Sequence, residues 1–419
     1  PAQARGQPAD ISPNPDRPDA GKLRRDGIAV LPFDLAGPPN ATDQGLLRGL
    51  GHDIISRLAR LRSFHVIARG SSFATSLPAS NPQAAGRALG VAYVVTGRAW
   101  FAGPKVTLQV ELVDCSGGQI VWTDTFVDTR TSYGTLLQGV TDRVTLSIQR
   151  EITNAERNRS LSVPLPSLDG WQAYHRGLFH MLQFTESELQ TAAGFFQLSV
   201  GRDPAFSRAH AALSYCHFLE AFLRPPDQRG DMAELAHRTA SRAMQLDEQS
   251  PDSRWAYGRA LWLNGDLAGG IREMRTSVEI SPSFAMGYQS LSFFLFQSGT
   301  PADTIDCASR AESLSPFDPF LCAIHGARAM ALWRQGDIET AADFALKAAR
   351  QHNAHKHILA ISGMVLTLAG RTDEASRCME RVRRFDPAYS LGSFKGAFSG
   401  LSEEALSLVH QVAPRIGLS

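Results

Sequence analysis

The chain has 419 residues, too many for one small core, so two or more domains are expected. Its 42 Lys and Arg nearly cancel 41 Asp and Glu, which excludes a strong global field drawing it to nucleic acid or an anionic membrane. Hydrophobic content of 43% and charged content of 20% suit a soluble globular protein, and no apolar run approaches the roughly 18 to 20 residues that span a bilayer.

Residues 1–26 hold Pro1, Pro8, Pro13, Pro15 and Pro18 among Asp, Arg, Asn and Gly, with almost nothing apolar. Such a composition cannot offset chain entropy, so it reads as a disordered, extended linker. A chain that opens on proline and a linker, with no signal peptide, is expected to be part of a longer protein whose N-terminal domain is missing.

Residues 27–160 read as an α+β domain. Ile28 to Phe33 is a short apolar strand, and Leu46, Leu47, Leu50, Ile54, Leu58 and Leu61 recur at helical spacing. A strand from Phe64 to Ala68 follows, then a short helix from Pro82 to Leu89 ending at Gly90 as a C-terminal cap. Val91 to Trp100, Lys105 to Asp114 and Gln119 to Asp128 read as an antiparallel meander, with turns at Gly103-Pro104 and Ser116-Gly117-Gly118. Val106, Leu108, Val110 and Leu112 share one face. A helix from Tyr133 to about Asn158 closes the domain with Leu136, Leu137, Val140, Val144, Ile148 and Ile152 in one stripe.

The segments Ile28 to Phe33, Val66 to Ala74, Ala88 to Gly97 and Leu112-Val113-Asp114 with Val121-Trp122 resemble a bacterial domain related to the N-terminal domain of TolB. In that family the domain directly precedes tetratricopeptide repeats and stands behind either a winged-helix DNA-binding domain or a class III nucleotidyl cyclase domain. The resemblance covers about residues 27–155, and with the repeats nearly the whole chain.

Pro164 and Pro166 mark the next boundary, and residues 167–398 read as an all-α array of about six helical hairpins. Turn glycines fall at Gly265, Gly299, Gly336 and Gly370, at intervals of 34, 37 and 34, with small residues seven positions earlier at Gly258, Ser292, Ala329 and Gly363. That is the beat of tetratricopeptide hairpins, none of which can bury its apolar face alone. Ala173, Gly177, Ala192, Phe196 and Pro204 fit a first unit. Ala209, Leu213, Ser214, Ala236, Ala240 and Ala243 fit a second, interrupted at Arg224 to Gly230 by about ten extra residues. Residues 399–419 form a tail in which Leu401, Ala405, Leu408 and Val412 share a face suited to capping the last hairpin.

Register within the repeats places Trp255, Arg259, Trp262, Gln289, Phe293, Phe296, Met330, Trp333, Arg334, His357 and Met364 on the concave side, as candidate partner-binding groove residues. Aromatics, Met and Arg dominate binding hot spots, although on repeat helices they also pack between neighbours. His352, His355 and His357 crowd one turn, but Lys356 between them opposes a cation, and solvated loop histidines are the simpler reading, so no metal is expected. Gly117-Gly118 is a strand turn and no phosphate cradle, Asn40-Ala41-Thr42-Asp43 is a helix cap, and Ser71-Ser72 lacks a hydrolase elbow. The singly scattered Cys115, Cys216, Cys307, Cys322 and Cys378 read as reduced, mostly buried thiols of a cytoplasmic protein.

No catalytic constellation, cofactor motif or DNA-reading pattern is recognisable. The resemblance implies the non-catalytic sensory and protein-interaction region of a bacterial cytoplasmic transcriptional regulator, with a protein or peptide in the groove and DNA reached only through an absent domain. The regulatory region of a class III adenylate cyclase and a stand-alone repeat scaffold are the alternatives. An exposed sheet edge makes homodimerisation a further expectation.

Overall fold

A computed structural model of the chain describes residues 23–37, 41–74, 81–103, 105–129, 133–183, 185–316 and 318–418. Residues 1–22 of the expected linker, Asn40 of the expected cap, Pro104 of the expected turn and the side chains of Leu136 and Leu137 lie outside that description. The chain divides into two units after Ile152.

In the first unit β1 (Arg24–Val30), β2 (Asp34–Leu35), α1 (Ala41–Leu61), β3 (His65–Val66), α2 (Arg69–Ala74), α3 (Pro82–Leu89), β4 (Val91–Ala102), β5 (Lys105–Asp114) and β6 (Gln119–Thr129) follow in order, and α4 (Tyr133–Leu161) begins there and ends in the second. The mixed sheet runs β3-β1-β4-β5-β6, with β2 also paired to β4. β3, β1 and β4 are parallel, and β4, β5 and β6 form the antiparallel meander. Strict alternation in β5 buries Val106, Leu108, Val110 and Leu112. Leu108, Val110 and Leu112 pack with Leu50, Ile54 and Leu58 of α1 and Val144, Ile148 and Ile152 of α4, while Ala85 of α3 joins Ala29, Leu31 and Val94 in a smaller cluster. Asn81 caps α3 and Gly90 closes it in the left-handed conformation at φ 69°.

Three expectations change here. β1 begins at Arg24, inside the stretch read as linker, because its N–H donates to the Gly90 carbonyl at 2.9 Å and it pairs with Val91. The strand at Phe64 to Ala68 shrinks to His65–Val66, because the Ala68 carbonyl accepts from Ser71 and Ser72 and starts the unforeseen α2. α4 continues past Asn158 to Leu161.

Among the described residues the second unit holds six helical hairpins: α5 (Gly170–Met181) with α6 (Glu186–Arg202), α7 (Ser207–Leu223) with α8 (Gly230–Leu246), α9 (Pro251–Leu263) with α10 (Leu267–Ile280), α11 (Ala285–Ser298) with α12 (Pro301–Leu314), α13 (Leu321–Gln335) with α14 (Ile338–Arg350), and α15 (Lys356–Leu368) with α16 (Thr372–Phe385). Helices α17 (Leu391–Ala397) and α18 (Glu403–Val412) follow.

Gly265, Gly336 and Gly370 take positive φ of 91°, 83° and 70°. After each, the next N–H reaches back five residues, as from Asp266 to Leu261, Asp337 to Leu332 and Arg371 to Leu366, closing a Schellman turn. Asp266 and Asp337 then cap the following helix through their side chains. Gly299 departs from the expected turn. It is extended at φ −81° and ψ −179°, because the Thr300 cap and Pro301 at the first helical position fix an extended entry into α12.

Candidate functional site

The expected groove residues converge, but as a packed interior. Trp255, Arg259, Trp262, Gln289, Phe293, Phe296, Met330, Trp333 and Met364 are at most 5% exposed, and the Arg334 side chain keeps 6%. Helices α9 and α11 are stitched together across the hairpins. Ser290 Oγ accepts from Trp255 Nε1 at 2.7 Å and from Arg259 Nη2 at 2.8 Å and Nε at 3.2 Å, and Gln289 Oε1 accepts from Arg259 Nη2 at 2.9 Å. Trp262 Nε1 donates to Gln297 Oε1 at 3.2 Å. Met330, Trp333 and Met364 belong to the same continuous core.

Much of this surface is covered by the chain's own C-terminal segment. Phe398 places its ring 5.8 Å from Phe293, 5.3 Å from Phe296 and 6.2 Å from Phe222. The Ser402 N–H donates to the Gln297 carbonyl at 2.7 Å, and Arg334 holds Glu404 at 2.9 Å. Arg229, in the extra residues of the second hairpin, donates to the carbonyls of Arg224, Phe222 and Gly396. The tail also buries Val409 and Val412 in the core of the array and so reaches well beyond the last hairpin. An apolar groove left in water would be unfavourable, and the segment removes that cost.

A cavity of about 620 Å³ lies beside the covered region. Arg259, Gln289 and Phe293 of the expected groove line it, together with Tyr215, Phe218 and Phe222 of α7, which sequence reasoning passed over. The Arg259 guanidinium lies 4.9 Å from the Phe218 ring, 5.1 Å from Tyr215 and 5.2 Å from Trp255. Burial pushes its pKa down from the ordinary value, although an arginine keeps its proton. The aromatic spacing Phe218 and Phe222 on α7 was the available signal for this wall.

The histidine turn differs from the solvated loop expected. His352 is exposed, but His357 is buried with Nδ1 2.7 Å from Tyr389 Oη, and His355 is half-buried at 5.6 Å from the His357 ring. Tyr389 follows α16 and closes over the turn. Burial, reinforced by Lys356, lowers His355 to about 4, and burial with His355, Lys356 and Arg229 lowers His357 well below its usual range. Among the described residues no group of three His, Cys, Asp or Glu side chains is arranged to hold a metal ion, and no helix is long and apolar enough to cross a membrane.

Residues 24–143 match the family model described as HilA/YgeH-like transcriptional regulator, second domain. A protein of Rhizobium meliloti (strain 1021) named as an adenylate cyclase is 26% identical over 239 residues, which span 56% of this chain and 40% of that protein. Among solved structures the chain is similar to Pseudomonas aeruginosa pilF, with a TM-score of 0.37 and 14% identity over 57% of this chain and 95% of that one. It is also similar to TolB from Acinetobacter baumannii, with a TM-score of 0.23 and 20% identity over 30% and 28% of the two chains. The family-model match, the cyclase-named relative and the helical hairpins fit a regulator-type α+β domain leading a tetratricopeptide-like module, with a regulatory or protein-interaction role.

Proposed function

We propose that this chain is the non-catalytic sensory and interaction region of a bacterial transcriptional regulator, acting on a DNA-binding domain tethered through residues 1–22. The observation that carries the reading is the match of residues 24–143 to the second domain of a transcriptional regulator, placed directly before a helical-hairpin array. The array would take a protein or peptide partner on its concave side. Trp262, Phe293, Phe296 and Arg334 would reach such a partner when the segment around Phe398 and Glu404 withdraws. Trp255, Met330, Trp333 and Met364 would support that surface from behind, and Arg259 and Gln289 would stand on the wall of the neighbouring cavity. β6, the outer strand of the sheet, carries Ile120 and Val127 more than half exposed and is the edge through which two copies would pair.

The cyclase-named relative favours a second reading, in which the same module regulates a nucleotidyl cyclase domain. Deleting the coding segment for residues 24–418 in the source organism separates them. The first reading expects altered transcription from a restricted set of promoters at constant cyclic AMP. A changed cyclic AMP level with promoter responses that follow it favours the second, and no change in either removes both.

A further inference from the structure

We infer that the cavity beside α7 is a small-molecule site for an aromatic monocarboxylate, with Arg259 as the group that reads the carboxylate. The inference does not depend on which partner the array holds.

Three observations carry it. The first is charge. Arg259 is 95% buried, and among the described residues no carboxylate pairs with it; its hydrogen bonds go to the neutral Gln289 and Ser290. The other cations of the wall are matched, Arg224 by Glu220 and Lys356 by Asp386 at 2.8 Å. A buried guanidinium that cannot lose its proton is costly without an anion.

The second is direction. Arg259 bonds through Nε to Ser290 Oγ and through Nη2 to both Ser290 Oγ and Gln289 Oε1. Arg259 lines the cavity, and among its recorded hydrogen bonds Nη1 is not used, which leaves it as the nitrogen to offer a ligand. Gln289 and Ser290 fix the guanidinium plane, so Nη1 would meet a carboxylate oxygen from a set direction by a charge-assisted hydrogen bond.

The third is the wall. Tyr215, Phe218, Phe222, Phe293 and Phe320 supply rings, and Phe385 stands 62% exposed at the rim. A volume of about 620 Å³ is that of a drug-sized ligand site, in which apolar walls supply affinity and one or two polar groups fix orientation. Rings at the cavity wall favour a ring in the ligand. Glu186 on the rim is exposed, so solvent screens its opposing charge.

The test is calorimetric titration of the full chain with 2-naphthylacetate and its neutral counterpart 2-naphthylethanol. The acid should bind one per chain and at least tenfold more tightly than the alcohol. Arg259→Gln should lose at least tenfold, Arg259→Lys should fall between, and Phe385→Glu, a change at an exposed rim position, should weaken the acid about threefold or more through charge. Circular dichroism establishes which variants fold. Absence of binding by the acid, equal affinity for acid and alcohol, or unchanged affinity in a folded Arg259→Gln protein overturns the proposal. If Arg259→Gln does not fold, the acid-to-alcohol ratio and Phe385→Glu decide it alone.

Discussion

The ring of Phe398, beyond the last helical hairpin, lies 5.3 Å from that of Phe296 in the fourth. Both side chains are almost wholly buried. The contact draws the C-terminal segment against α7 and α11, and what that surface can do follows from which parts of it stay open.

Phe398→Ala removes a ring that touches Phe222, Phe293, Phe296 and His357. Loss of a fully buried aromatic is expected to cost about 3–5 kcal/mol, read as a lowered urea midpoint of the array. A loss under about 1 kcal/mol would mean the segment does not pack in solution as described.

Arg229 satisfies three backbone carbonyls, one of them Gly396 at 2.8 Å. Arg229→Ala is expected to cost about 1–3 kcal/mol, because three part-buried acceptors lose their donor. The Arg334 and Glu404 pair makes the useful contrast. Glu404 is 58% exposed, so Glu404→Ala should cost under about 1 kcal/mol in the same assay.

A Cβ on Gly177 would stand 2.6 Å from the Phe196 ring, across the first hairpin. Gly177→Ala should destabilise by about 1–3 kcal/mol despite the better helix propensity of alanine. A stabilised variant in thermal melts would show that the two helices pack less closely.

His355 and His357 are held neutral in the fold, His355 with its pKa near 4, while in the unfolded chain each titrates at its ordinary value. As pH falls below about 6.5 the unfolded state takes up protons that the folded state refuses. Stability from these groups is therefore present at pH 7 and lost progressively towards pH 4. The urea midpoint should drop between pH 7 and pH 5, and His355→Gln should shrink the drop. A midpoint independent of pH over that window would contradict the burial of the turn.

Burial raises Cys115, Cys307 and Cys378 to about 11 and Cys322 to about 12, and pushes Cys216 up further. A disulfide reagent at pH 8 should react slowly with native protein and rapidly with all five thiols after denaturation. Fast reaction at Cys216 or Cys322 in the native state would be inconsistent with their positions.

The hairpin array was legible because its determinants are local. Gly265, Gly336 and Gly370 each close a Schellman turn within one hairpin, and Gly177 and Gly363 sit where only small residues let paired helices approach. The alternation in β5 made the meander legible in the same way. The arrangement of the site was not local. Arg259 shows in sequence as an arginine on a repeat helix, and apart from Trp255 on its own helix its neutral partners and ring neighbours come from α7 and α11. The histidine turn reads as solvated until Tyr389 is folded over it, and a 34-residue beat says nothing of where a chain goes after the repeats end. Arg229 joins these cases, since its role depends on meeting Gly396.

The most direct measurement of the account is hydrogen–deuterium exchange of the full chain over peptides covering residues 391–412. If the C-terminal segment packs against α7 and α11, the Ser402 amide, bonded to the Gln297 carbonyl at 2.7 Å, and the amides around Phe398 will exchange as slowly as those of α11. Exchange of these peptides at the rate of an unstructured chain would contradict it.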